Sequence, residues 1–432
     1  MKHWFSDVLP FRRDPLDFML SCATENAPPL KRLLLGPKPV WLVTDPEVVK
    51  PVLKAPEEEI DKGRFIHKLR KVLGVSSLSL SGEEHRKRRA ILHNTFAKGA
   101  SNQYAPEMSA VIRRTALQLI AAGCQFDAHA VTSRLSLRLV SLAMFGKDVL
   151  TEADEQVIVE SVAEVEDDLA DEMFRVLPLA PWQLLARRRR RARVNVALDL
   201  VVARVRSRAP KNSAVGALEE LGLTDVEMRN EILTMILAGY HTTGNAAAWI
   251  LYHLATVPGL ADLLANEGEQ IIGPDGEYPP ARLMRAEKSL AAVRETLRLY
   301  PSSYWFSRDA MANIEVAGTR LRKGDAIIIA PWLFHRSSLH WPNPNSFDLS
   351  RDFGSRAYLP FGTGPRVCVG MGIVMLELQL IALEFAAACQ LQVHSSVPAA
   401  TPKASITLVP PPIAMSIGIR DGQSVPSVPK AA

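Results

Sequence analysis

The sequence predicts a mainly α fold carrying small β-sheets. Apolar residues recur at helical spacing from about Pro106 to Asn266, with few strand-like alternations. The tract Asp225–Thr256 reads as one long helix that Pro258 stops. Short β-prone runs at Val40–Val43, Asn313–Val316 and Ala326–Ile329 supply the sheets.

In chain order, residues 1–35 read as a lead-in, followed by a turn at Gly36 and the Val40–Val43 strand. Asp45-Pro46 opens a helix, because Asp caps the free N–H groups and Pro is tolerated at the first helical position. A helix is expected from about Arg282 to Leu299, ended by Pro301. Gly318 and Gly324 separate the strand signals that follow. Residues 336–365 are rich in Pro, Ser and Asn and read as loop. Val369–Cys389 is an apolar helix with the look of a core element, and the Gly/Ser/Pro-rich tail 421–432 is expected to fray. At about 150 residues per domain the 432 residues would suggest two or three domains. No internal repeat or linker divides them, so a single domain over 1–432 is the expectation.

Composition narrows the function classes. The 51 Lys+Arg against 46 Asp+Glu leave +5, too little to indicate nucleic-acid binding. Cysteines 22, 124, 368 and 389 form neither a CxxC pair nor a disulfide framework, which points to a reducing cytoplasm. The N-terminal stretch lacks the apolar core of a signal peptide, and no apolar run reads as a membrane span. The run Arg187–Arg191 with Arg193 admits two readings. One is a solvated helix start; the other is a peripheral membrane or acidic-partner contact with Trp182 at the interface.

The chemistry concentrates in Phe361-Gly362-Thr363-Gly364-Pro365-Arg366-Val367-Cys368-Val369-Gly370. Glycines and a proline make a rigid turn that lets backbone approach something flat and large. Cys368 then stands where helix N-terminal N–H groups stabilise a thiolate. Such a thiolate is a metal ligand or a nucleophile, and no His lies nearby in sequence to serve a nucleophile. The run resembles the haem-ligand loop FxxGxRxCxG of the cytochrome P450 family, of the soluble bacterial type.

Other segments resemble that family in its order. Glu295 and Arg298 match ExxR, and Arg351 matches the arginine of the later meander that completes a buried network supporting the thiolate loop. His85 and Arg89, four apart, match HxxxR; with Arg308 and Arg366 the resemblance gives them the haem propionates. Arg86, Lys87 and Arg88 read as solvated or partner-facing. Ala238-Gly239-Tyr240-His241-Thr242-Thr243 is similar to [AG]Gx[DE]T[TS], with His241 where the family has an acid. Gly239 is expected to leave room for dioxygen and Thr242 to supply a hydroxyl that organises protons, although a mid-helix Thr often only bonds back one turn.

The resemblance implies a triangular, helix-rich fold around haem b, held by Cys368 and framed by Ala238, Phe361, Gly362 and Gly370. It implies a monooxygenase that places one atom of O2 into an apolar, medium-sized terpenoid, steroid or fatty acyl compound. Met235, Ile236, Ala238 and Ser302–Phe306 would line the pocket. With no flavin or iron–sulfur module, electrons would come from a ferredoxin and its reductase. A haem-thiolate isomerase, dehydratase or peroxide-driven enzyme is the alternative, and a haem sensor or carrier a third reading.

Overall fold

The computed structural model describes residues 5–174, 179–394 and 401–420; the expected frayed tail 421–432 lies outside them. The long helix spans Asp225–Thr256 as the sequence predicts. Thr224 accepts from the Glu227 N–H while the Glu227 carboxylate accepts from the Thr224 N–H, a reciprocal cap that satisfies two free donors. Twenty-odd of its side chains are buried, which makes it the spine of the larger apolar core.

Helix Ala128–Met144 crosses this spine at close range, and two glycines permit it. A Cβ on Gly244 would lie 2.8 Å from the Ser133 Cα. One on Gly239 would lie 2.6 Å from Met144 Cε and 2.9 Å from Val140 Cγ2. Thr132 Oγ1 donates to the Gly244 carbonyl at 2.9 Å and seals the crossing.

The expected Val369–Cys389 helix runs Met371–Ala388, and Cys389 instead begins a strand. It is long and apolar enough to cross a membrane by composition, yet Leu378, Leu380, Ile381 and Leu383 are fully buried in the core. The expected Arg282–Leu299 helix is two: Pro280–Leu283 and Glu287–Leu299. Side chains stabilise the break. The buried Gln379 amide donates to the Leu283 and Ala286 carbonyls at 3.0 and 3.3 Å, and the Glu267 carboxylate accepts from the Lys288 and Ser289 N–H groups at 2.7 Å.

A five-stranded sheet builds a second apolar core, in the order Leu30–Leu33, Val40–Val43, Ala326–Ile329, Phe306–Ala310, Ile60–Asp61. Val40–Val43 runs parallel to Ala326–Ile329, and the other pairings are antiparallel. The lead-in therefore contributes a strand. The polar alternation of Phe306–Ala310 hid it from periodicity; partners on both sides make it a strand. The Asn313–Val316 signal is the hairpin Ile314–Val316 with Thr319–Leu321, turning at Gly318 with φ 75°.

Candidate active site

The 336–365 loop is irregular because side chains consume its backbone groups. Glu295 and Arg298 share one helix face and are both fully buried. Arg298 donates Nε and Nη2 to the two Glu295 oxygens at 2.7 and 2.8 Å, and its remaining N–H groups reach the carbonyls of His335, Pro344 and Ser346. Arg351 donates Nε to Glu295 at 2.8 Å and reaches Pro342, Asn343 and Ser346. The sequence-predicted trio is thus assembled.

His335, which sequence reasoning missed, carries the support onward. Its Nε2 accepts from the Leu359 N–H at 2.8 Å and its Nδ1 donates to the Arg298 carbonyl at 3.1 Å. Burial first, then the Arg298 charge, push its pKa down to about 3, so it stays neutral and that tautomer is fixed. Leu359 opens the cysteine loop.

In that loop Gly362 and Gly364 take φ of 68° and 76°, conformations that other residues resist. A Cβ on Gly364 would also lie 2.9 Å from the Leu53 carbonyl oxygen. The Cys368 N–H donates to the Phe361 carbonyl at 2.9 Å, closing the loop just ahead of Met371–Ala388. The Cys368 surface is open, but dense protein around it desolvates the sulfur and pushes the thiol up, while the Gly370 N–H and Arg89 pull the other way. A desolvated sulfur that donors hold at a helix N-terminus gains by meeting a cation such as iron.

Beside it lies a surplus of buried positive charge. Arg89 donates to the Val367 carbonyl, next to the cysteine. Arg366 bonds the Leu80 carbonyl and Glu57 Oε1, both at 2.7 Å. His85 is buried; desolvation, then Arg366, Lys62 and Arg89, push its pKa down to about 3. Burial and Arg366 lower Arg308 to about 10, and burial with Arg366 and Arg308 lowers Lys62 well below the usual range. Glu57 and Asp61 are the acids that pair with Arg366 here. A cluster that suppresses its own protonation is built for an anionic guest, and the two carboxylates of haem b fit that need. Lys62 escaped sequence reasoning because no spacing signals it. Arg88, expected on the surface, is instead buried and paired with Glu231 at 3.0 Å and with Glu227; Arg86 and Lys87 are exposed.

On the spine, Ala238 is exposed and Thr242 half-buried within an otherwise buried stretch, one turn apart on a single face. Ser302 Oγ donates to the Thr242 carbonyl at 2.6 Å, and Phe306 from the same stretch approaches Gly362, so the spine and the cysteine loop share a wall. Two expectations need correcting. Met235 and Ile236 are buried in the core. Gly239 turns its hydrogen toward Val140 and Met144, so the helix crossing, and not space for dioxygen, is why a glycine stands there. Thr242 Oγ1 does donate back to the Ala238 carbonyl at 2.8 Å, which leaves its lone pairs for a proton-carrying partner.

The arginine run lies on helix Pro181–Arg208, and neither reading describes all of it. Arg187 and Arg191 pair with Asp168, and Arg193 with Glu164 at 2.8 Å, whereas Arg188 to Arg190 and Trp182 are exposed.

A fold of this order, with a loop cysteine below a broken-face spine helix, is that of a haem-thiolate protein. The cytochrome P450 family model matches residues 4–417, and the chain belongs to that family. It is 27% identical to cyclooctatin synthase of Streptomyces melanosporofaciens, with 88% of each chain covered. It is 27% identical to pentalenene oxygenase of Streptomyces avermitilis over 83% of this chain and 82% of that protein. Cyclooctat-9-en-7-ol 5-monooxygenase of Streptomyces melanosporofaciens is 28% identical over 88% and 86%. The protein is a cytochrome P450 monooxygenase, an oxidoreductase whose family binds haem b through a cysteine thiolate and takes electrons from redox partners.

Proposed function

We propose that Cys368 is the thiolate that would hold the haem iron, that His85, Arg89, Arg308 and Arg366 with Lys62 would receive the haem carboxylates, and that the substrate is an apolar terpenoid. The open Cys368 sulfur at the end of the buried helix carries the reading, because Cys22 and Cys389 are buried in apolar packing and Cys124 lies exposed away from these motifs. When bound, haem supplies the redox chemistry that activates O2 for insertion into an unactivated C–H bond.

This chain's residues then do the rest. Phe361, Gly362 and Gly370 keep bulk off the sulfur, and Ala238 gives a flat, small surface on the opposing helix. The Thr242 hydroxyl holds a proton partner at Oγ1, and the His241 imidazole beside it relays protons, since one ring nitrogen can accept while the other donates. Two relatives by name act on an alkene, pentalenene, and on the unsaturated alcohol cyclooctat-9-en-7-ol, which favours a terpenoid over a steroid or fatty acyl substrate. We assign electrons to a ferredoxin and its reductase, a single haem domain to 1–432 and the cytoplasm as its place.

The test is the reduced carbon monoxide spectrum. The strongly red-shifted thiolate band is expected in wild type and in Cys389→Ala, and absent in Cys368→Ala. Persistence in Cys368→Ala would overturn the assignment.

A further inference from the structure

His241 does not stand alone. Its Nε2 lies 2.9 Å from Glu166 Oε2, on the helix Glu152–Phe174. Its Nδ1 lies 3.2 Å from Thr407 Oγ1, in the turn between the short strands Lys403–Ala404 and Leu408–Val409. Thr407 Oγ1 is 3.2 Å from Asn245 Nδ2, and Asn245 Oδ1 is 2.8 Å from Nε2 of the half-buried His129. His241 and Asn245 are one turn apart, so a single face of the spine carries both.

Two acceptors, one at each end, set the donor directions in this chain. Asn245 Nδ2 also lies 3.2 Å from the Leu408 carbonyl, which can only accept, so the amide orientation is forced. Asn245 Oδ1 therefore accepts from His129, and Nδ2 donates to Thr407. The Glu166 carboxylate can only accept, so His241 Nε2 carries a proton aimed at it, while Nδ1 faces the Thr407 hydroxyl.

We propose that Glu166 is the acid of the distal proton relay, a positioning residue that acts through His241 from a neighbouring helix. The family pattern has an acid at position 241 itself; here the spine carries the base and the helix Glu152–Phe174 the acid. This rests on the reading of His241 given above. One proton leaves the pair for the distal side, one returns from solvent at the partly exposed Glu166 side chain, and no electron moves within the pair. Glu166 Oε1 suits the role: it is a buried oxygen with no hydrogen bond of ordinary geometry among the described residues, although Ser405 is near the carboxylate, so a lone pair is left to take up a proton. Burial opposes charge on Glu166, but the hydrogen bonds from His241 and Ser405 hold its carboxyl below the usual range. The other titratable groups at hand are His129 with Asp127 on the Ala128–Met144 side and Tyr240, whose ring stands edge-on to His241 at 6.0 Å.

The experiment uses the haem-loaded protein with its electron donors. Product formed per electron pair, the solvent deuterium isotope effect and the carboxyl carbon-13 titration of Glu166 in the diamagnetic reduced carbon monoxide form are read together. Glu166→Gln keeps an acceptor for Nε2–H but cannot hold a proton. It should lower coupling severalfold, with the lost electrons appearing as peroxide, and should enlarge the isotope effect. His241→Asn should do the same, and the double variant should be no worse than either single one. In His241→Asn the Glu166 titration should move upward, since the imidazole that most opposes the effect of burial is gone, with only Ser405 and His129 still opposing it. Transposing the pair, with His241→Glu and Glu166→His together, should restore coupling in part. If His241→Asn uncouples and Glu166→Gln does not, Glu166 is structural and the proposal falls while the His241 reading stands. If neither uncouples, the His241 reading fails and takes this one with it.

Discussion

Glu295 and Glu377 are both 0% exposed, on helices that pack against each other, and they could hardly be treated more differently. Glu295 sits between two guanidinium groups and also accepts the Asp348 N–H at 3.0 Å. Glu377, midway along Met371–Ala388, has no hydrogen bond of ordinary geometry to either oxygen among the described residues. Burial pushes its carboxyl up to about 8, with Ser136 pulling weakly the other way. Equal burial therefore says nothing about charge; the donors around the group decide it. The loop that carries Cys368 hangs from the first kind of site, while its helix tolerates the second.

Breaking the satisfied site should have the largest effect. Arg298→Leu leaves Glu295 short of two donors and takes the guanidinium from the His335 and Pro344 carbonyls, so a loss of about 3–5 kcal/mol is expected. Thermal melts and haem retention would check it; a stable, haem-loaded variant would refute the supporting role.

Repairing the unsatisfied site should do the reverse. A carboxyl with its folded pKa raised keeps its proton in the fold and surrenders it in the unfolded chain. Its contribution is full below the ordinary value of 4.5 and is lost as pH rises to about 8. The loss is on the order of 1 kcal/mol per pH unit. Glu377→Gln should thus match wild type near pH 4.5 and melt progressively higher from there to pH 8. A constant difference across that range would show that Glu377 is not protonated in the fold.

The glycine crossing gives a smaller, graded comparison. Gly244→Ala meets Ser133 backbone, which cannot yield, and should cost about 1–3 kcal/mol. Gly239→Ala meets the flexible end of Met144 and should cost less. Equal losses would mean that the crossing, not the contacted atom, sets the penalty. Smallest should be Thr224→Ala at the start of the spine, about 1 kcal/mol, since Glu227 also pairs with Arg88 and keeps part of the cap in place.

What could be read from the sequence was local, or carried by a motif. The spine was legible because Pro258 stops it in plain view, and Arg351 because its spacing in the meander resembles a known pattern. Phe306–Ala310 was not, since it owes its strand to partners at Ile60–Asp61 and Ala326–Ile329. The break at 284–286 was hidden for the same reason: Gln379 lies more than ninety residues away from the carbonyls it serves. Lys62, His335 and Glu166 have roles that only packing creates. Gly239 shows the opposite error, a motif residue whose presence was read correctly and whose reason was not.

The segment from His335 to Ser346 has a further consequence. A stretch this long without helix or strand would ordinarily be a natural site for insertions. Here the carbonyls of His335, Pro342, Asn343, Pro344 and Ser346 all turn inward onto two guanidinium groups, as ligands converge on an ion. Trp341 lies against both cations, at 5.3 and 6.0 Å. Adding one residue would pull at least one oxygen out of that shell. The least regular part of the chain is therefore among the least free to change in length, and an engineer seeking a place for a tag or a fused module should look elsewhere.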